Sequence, residues 1–235
     1  MSAIGEAIGF NLIVISPTIT LVMTALFLLF FTITIKSNEK VKQLITFSGV
    51  LITIFCVFLK FGLFLESGIS SYFTQKILLD EFSLFGNVLI SLILLFNFIP
   101  IWESSILLKE KTTEAIILIL MSTAGFMLMI DSENLIMLFI GLEIGSISLY
   151  ALAGLNRGDK LSNEASLKYF LLGSLASCIL IYGVSLVYVS FAVQSVYDFA
   201  IALSYVGPDV VPLTTSIGMI LIFVGLLFKI AAAPF

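Results

Sequence analysis

Long apolar runs follow one another along the chain, over about residues 11–35, 44–65, 82–102, 114–130, 134–155, 162–191 and 213–229. Short polar segments separate them. Each run is long enough, as a helix, to cross a hydrocarbon layer of about 30 Å. In lipid every backbone donor and acceptor must be satisfied within the protein, so only helices or a closed barrel can span. Barrel strands would alternate apolar and polar residues, and these runs do not. The pattern predicts an all-α polytopic membrane protein of about seven transmembrane helices. Residues 1–111 carry the first three spans and residues 112–235 the next four.

Punctuation refines the elements. Pro17 sits in the first turns of span one, where proline is tolerated. Lys60 lies near the end of span two, within snorkelling reach of the headgroups. Residues 66–81 read as a polar connection, short-helical or irregular. Pro100 and Trp102 fit the interfacial end of span three. Asp131, Ser132 and Glu133 form a tight turn in which the Ser or the Asp can cap span five. Ser162 can cap span six, with Glu164 at the positive end of that helix. The connection 192–212 holds Asp198, Pro208, Asp209 and Pro212, and its stretch 196–206 predicts a short helix lying at the interface.

Composition agrees with this class. The chain is 60% hydrophobic and only 11% charged, against about a quarter charged in a soluble domain. Mean hydropathy is +1.20. The distribution of basic residues orients the spans. Lys36, Lys40, Lys42, Lys109, Lys111, Arg157 and Lys160 follow spans one, three and five, whereas Lys76 stands almost alone after the even spans. The positive-inside rule places the first set on the cytoplasmic or matrix side. No basic cluster points to nucleic acid. Cys56 and Cys178 lie inside apolar runs and read as small core side chains rather than a disulfide. The chain has no histidine, which leaves haem, zinc or an iron–sulfur cluster without a ligand set. The first residues lack the basic region of a cleaved signal.

Three charges in the apolar runs require an explanation. Glu143 lies about 15 Å deep in span five at 1.5 Å per residue. A charge at that depth, facing lipid, costs about 3 kcal/mol on translocon scales. Lys168 lies in the second helix of the pair and is read as buried, with snorkelling as the alternative. Lys229 lies in the inner half of span seven, and Pro234 follows within about a turn and a half, a pattern of a discontinuous helix. An ordinary helix end is the alternative for that proline. Desolvation disfavours the charged form of an acid or amine and pairing favours it, so a Glu–Lys pair of variable separation suits a proton relay. A purely structural polar lock between helices is the competing reading. Gly141 and Gly145 flank Glu143, and Gly173 with Ser177 repeats the spacing on span six, which predicts close helix contact.

The motifs NLIMLFIGLEIGSISLYALAGLNR, SNEASLKYFLLGSLASCILIYG and VGLLFKIAAAPF, in that order, resemble the antiporter-like membrane subunits of respiratory complex I, the proton-pumping NADH:quinone oxidoreductase. The match is nearest to subunit 2, called subunit N in bacteria. It covers residues 134–235 apart from the connection near 193–215. The resemblance implies the N-terminal part of an antiporter-like inverted-repeat fold, with a discontinuous seventh span. It implies that Glu143 pairs with Lys229 and that Lys168 belongs to the same hydrated polar axis, relaying protons in response to quinone reduction elsewhere. This chain is then expected to bind no cofactor and to carry out no redox chemistry. NADH, FMN, iron–sulfur clusters and ubiquinone would be used elsewhere in the complex. The implied partners are other complex I membrane subunits, membrane lipids and a second polypeptide carrying spans 8–14. A split, mitochondrially encoded subunit of the inner membrane is the preferred expectation, with a bacterial plasma membrane or an incomplete sequence as alternatives. A membrane subunit of a related cation/proton antiporter or hydrogenase complex, or a purely structural arm subunit, stays open.

Overall fold

The computed structural model describes residues 2–34, 39–73, 76–108, 111–206 and 211–232. Lys36, Lys109, Pro208, Asp209 and Pro234 lie outside these residues. Eight helices occur among them in the order α1 (Ser2–Thr34), α2 (Glu39–Ser67), α3 (Glu81–Leu108), α4 (Thr112–Asp131), α5 (Leu135–Ala153), α6 (Lys160–Phe191), α7 (Val196–Tyr205) and α8 (Leu213–Lys229). The first six are long and apolar enough to cross a membrane, whereas α8 is a shorter apolar helix of 17 residues. The chain is an all-α polytopic membrane protein.

The connection 66–81 is not irregular. It forms a small antiparallel hairpin, β1 (Ser70–Tyr72) with β2 (Ile77–Leu79), paired Ser70 to Leu79. Ile77 and Leu79 of β2 are buried, together with Val14, Leu63 and Leu84. Three-residue strands are too short for their alternation to stand out in sequence. An isolated bridge joins Ile77 to Ser132, and another joins Asn134 to Ser195. These bridges tie the hairpin, the α4–α5 turn and the α6–α7 link together at the lysine-poor end of the bundle.

Several helix ends differ from expectation. Helix α3 continues past Pro100 to Leu108. The cap of α5 is neither Asp131 nor Ser132 but Asn134, whose side chain accepts from the backbone N–H of Ile136 and Met137. Helix α6 starts at Lys160, capped by Asp159, and Ser162 instead donates to the Ala153 carbonyl across the turn. The short helix expected in the last connection is α7, capped by Ser195.

The α8 terminus is built specifically. The Ala231 N–H bonds to the Phe228 carbonyl and the Ala232 N–H to the Leu227 carbonyl, with Ala231 at φ 53°. This is a Schellman closure, which turns the chain out of the helix directly after Lys229.

The main core runs along α4. Leu21, Ala25 and Leu28 of α1, Val50 of α2 and Leu94 of α3 enclose Ile116, Leu120, Ala124 and Met127. Helix α4 also packs on α5, α5 on α6, and α6 on α8. At the α4–α5 crossing the backbones nearly touch. A Cβ on Gly125 would stand 2.4 Å from the Gly145 nitrogen and 2.7 Å from the Gly141 oxygen. Both obstacles are backbone, so neither can rotate away. Gly125→Ala is expected to cost about 1–3 kcal/mol through overpacking, read as a lowered unfolding midpoint in detergent micelles. Gly183 and Gly218 make the equivalent close contact between α6 and α8.

Of the two cysteines, Cys56 is buried as expected, but Cys178 is exposed on the apolar surface of α6. Both are free thiols.

Candidate functional site

Helices α5, α6 and α8 meet around one ammonium group. Lys229, at the last position of α8, has its Nζ 2.9 Å from Glu143 Oε1. The same nitrogen donates to Ser146 Oγ at 3.1 Å and to Tyr150 Oη at 3.1 Å. Its three N–H bonds thus have three oxygen acceptors. Glu143, Ser146 and Tyr150 lie on α5 at positions i, i+3 and i+7, which share one helix face.

From α6, Ser177 Oγ donates to Glu143 Oε1 at 2.6 Å and reaches the Gly173 carbonyl at 2.9 Å. A hydroxyl has one hydrogen, so it serves one acceptor at a time. Ser177 can therefore release the carboxylate without being left unpaired. The Tyr150 ring lies against Gly173, where a Cβ would come within 2.1 Å of the Tyr150 hydroxyl. Tyr150 packs edge-on to Tyr169, centroids 4.6 Å apart. The glycine thus lets α6 admit the tyrosine that reaches Lys229.

The pair is sheltered but not sealed, with side-chain exposure of 11% for Lys229 and 19% for Glu143. An ion pair in that setting keeps its charges hydrogen-bonded while part of each side chain stays accessible from outside the bundle. Proton transfer between Nζ and Oε1 needs no large movement at 2.9 Å.

The structure brings Glu143 and Lys229 together and leaves Lys168 apart. Lys168 is exposed, not buried, and bridges to Glu164 one turn earlier on its own helix, at 2.5 Å. The reason is helical phase. Lys168 precedes Ser177 by nine residues, about two and a half turns at 3.6 residues per turn, so it lies on the opposite side of α6 from the residue touching Glu143.

Sequence reasoning missed Ser146 and Tyr150, although their spacing from Glu143 marks a polar stripe on an otherwise apolar helix. Ser177 was visible only as a small residue. A second charge pair was missed altogether. Lys60 does not snorkel. It is fully buried, with its Nζ 2.6 Å from Asp131 Oδ1. Asp131 ends α4 rather than standing in a free turn. Among the described residues no group of three or more His, Cys, Asp or Glu side chains is placed to hold a metal ion.

Known proteins resemble this chain in sequence and in fold. A family model described as "NADH:quinone oxidoreductase/Mrp antiporter, TM" matches residues 132–235. The NADH-quinone oxidoreductase subunit N of Magnetococcus marinus is 41% identical over 71% of this chain and 34% of its own length. That of Bartonella bacilliformis is 36% identical over 81% of this chain and 38% of its own length. That of Trichlorobacter lovleyi is 34% identical over 96% of this chain and 45% of its own length. The chain therefore spans between a third and a half of the length of these relatives. In fold, it is similar to a chain of the membrane-bound sulfane sulfur reductase, an archaeal respiratory membrane complex. The TM-score is 0.72 at 20% identity, covering 93% of this chain and 44% of that one. It is also similar to a chain of respiratory complex I from Thermus thermophilus with bound aureothin. There the TM-score is 0.68 at 22% identity, covering 93% of this chain and 45% of that one.

Proposed function

This chain belongs to the antiporter-like NADH:quinone oxidoreductase subunit N family, and from that premise we propose that it is a membrane-embedded subunit relaying protons through Glu143 and Lys229. The observation that carries this reading is the Lys229 ammonium held by Glu143, Ser146 and Tyr150 at the point where α8 stops. Intramembrane ionisable groups with named partners mark ion pathways. In this reading Glu143 accepts and returns the proton, Lys229 donates it, and Ser177 adjusts the carboxylate. Lys168 takes part only where further protein covers its face of α6. Residues 112–235 then begin an antiporter-like repeat behind the segment 1–111.

Two assemblies fit. The subunit N relatives favour a proton-pumping NADH:quinone oxidoreductase, in which quinone reduction elsewhere drives the relay. The family description also spans Mrp antiporters, and the fold is shared with a sulfane sulfur reductase complex. These favour the broader reading of an antiporter-type subunit, whose driving reaction depends on the complex around it. Other membrane subunits are the partners in both. The relatives named above are bacterial, so the expected mitochondrial inner membrane has no support from them, and a bacterial plasma membrane is the proposed location.

Glu143→Gln is expected to abolish proton uptake in liposomes containing the assembled complex while leaving the subunit assembled. Normal uptake would reduce the pair to a structural lock. The enzymes that co-purify, quinone-linked or otherwise, distinguish the two assemblies.

A further inference from the structure

The second buried charge pair is not used by the relay described above. Lys60 comes from α2, Asp131 from the end of α4 and Asn87 from α3. Lys60 and Asn87 are fully buried and Asp131 is 2% exposed. Asn87 Nδ2 donates to Asp131 Oδ1 at 2.6 Å and to the Ser83 carbonyl at 2.7 Å. Its own Oδ1, buried, accepts no hydrogen bond. Among the described residues the one acceptor of the Lys60 ammonium is Asp131 Oδ1.

This network differs from the one at Lys229. There three N–H groups meet three oxygens. Here a carboxylate oxygen takes two donors, an ammonium meets one acceptor, and an amide oxygen is orphaned. A cluster serving cohesion alone is most stable when every buried polar atom is paired. Burying two charges costs much of what their attraction returns, and desolvation weakens the preference of an acid–amine pair for its ionised form over its neutral one.

A cavity lies beside the pair, lined by Met129, Ile130 and Ser132 next to Asp131 in the chain. Ser132 follows Asp131 directly, and Asp80 is joined to the pair through α3: the Ser83 N–H donates to Asp80 Oδ1 and the Ser83 carbonyl accepts from Asn87 Nδ2. Asp80, Ser132, Glu133 and Asp198 line a cavity of about 1130 Å³ at the lysine-poor end. Leu142 and Leu226 line the same cavity. They are the residue before Glu143 and the residue three before Lys229. The cavity thus reaches from one buried pair toward the other.

We propose that Lys60 and Asp131 form a second intramembrane proton-exchange site, opening through Asp80 to the cavity at the lysine-poor end. The exchange is a balanced transfer. A Lys60 Nζ–H bond breaks and an Asp131 Oδ1–H bond forms, leaving a neutral amine and a carboxylic acid. The acid then passes its proton to the Asp80 carboxylate or to cavity water. A proton arriving from the Glu143–Lys229 side of the cavity restores the ion pair, so one cycle carries one proton between the two pairs. Asn87 fixes the carboxylate during both steps. This inference rests on the proton-relay reading, because the exchanged proton is one that the relay moves.

The test uses the assembled complex in liposomes, with a pH-sensitive dye inside and the complex driven by its own electron donor. Lys60→Arg keeps the ion pair, but a guanidinium does not release its proton in proteins. Proton uptake lost in Lys60→Arg, with electron transfer and assembly retained, supports the proposal. Uptake equal to the unmodified complex overturns it. If the larger side chain prevents assembly, the double variant Lys60→Met/Asp131→Leu replaces both charges with apolar groups of similar size. Loss of uptake in that assembled variant supports the proposal and full uptake overturns it. Failure of both variants to assemble assigns the pair to folding and also overturns it. Glu143→Gln, measured alongside, reports on the relay itself, so failure of the second site and failure of the relay give different results.

Discussion

Lys60→Met alone is expected to destabilise the folded protein by about 3–5 kcal/mol. Lys60 is fully buried and Asp131 almost so. Removing the ammonium leaves a carboxylate in the interior with Asn87 Nδ2 as its remaining partner. Uncompensated buried charge is among the few single changes with effects this large. The measurement is the unfolding midpoint in detergent micelles, followed with the amount of protein recovered from the membrane. The double variant Lys60→Met/Asp131→Leu is expected to recover most of the loss, because an apolar pair of similar volume replaces the ion pair at little net cost. A single variant as stable as the parent would mean that Asp131 is not charged beside Lys60.

Lys229→Arg is expected to abolish proton translocation with little loss of stability. A guanidinium can keep the contact with Glu143, Ser146 and Tyr150, since it has five N–H donors. It cannot give up a proton to the carboxylate. Lys229→Met should also abolish translocation, but with a larger loss of stability, since Glu143, Ser146 and Tyr150 all lose a donor. The two variants separate charge from proton release. Retained proton uptake in Lys229→Arg, measured per electron transferred, would leave Lys229 as a fixed counter-charge and nothing more.

The sequence exposed some of this architecture and hid the rest for physical reasons. Glu143 is an acid far from either end of an apolar run, with no route to a headgroup, so its need for an interior partner follows from solvation alone. The helix-ending text after Lys229 marks where that partner sits. Lys168 was harder, because a lysine in the third turn of a helix has two outcomes of similar cost and only the helix face decides. Lys60 was misread for the same reason in reverse. It had an inexpensive exit to the headgroups on paper, and only the closure of α3 and α4 over it removes that exit. Its partner Asp131 is 71 residues away in sequence and reads locally as part of a turn. The core gathers on α4, whose Ala124 and Gly125 are small enough to let neighbours approach.

Helices α4 and α5 are joined by three residues and pressed together at Gly125, Gly141 and Gly145. Asp131 and Glu143, the acids of the two buried pairs, sit on this one hairpin, while the lysines sit on α2 and α8. A hairpin clamped in this way is held as one unit rather than as two separate rods. A tilt of that unit is expected to change both acid–lysine separations together, so mechanical load at either end of the bundle would be felt at both.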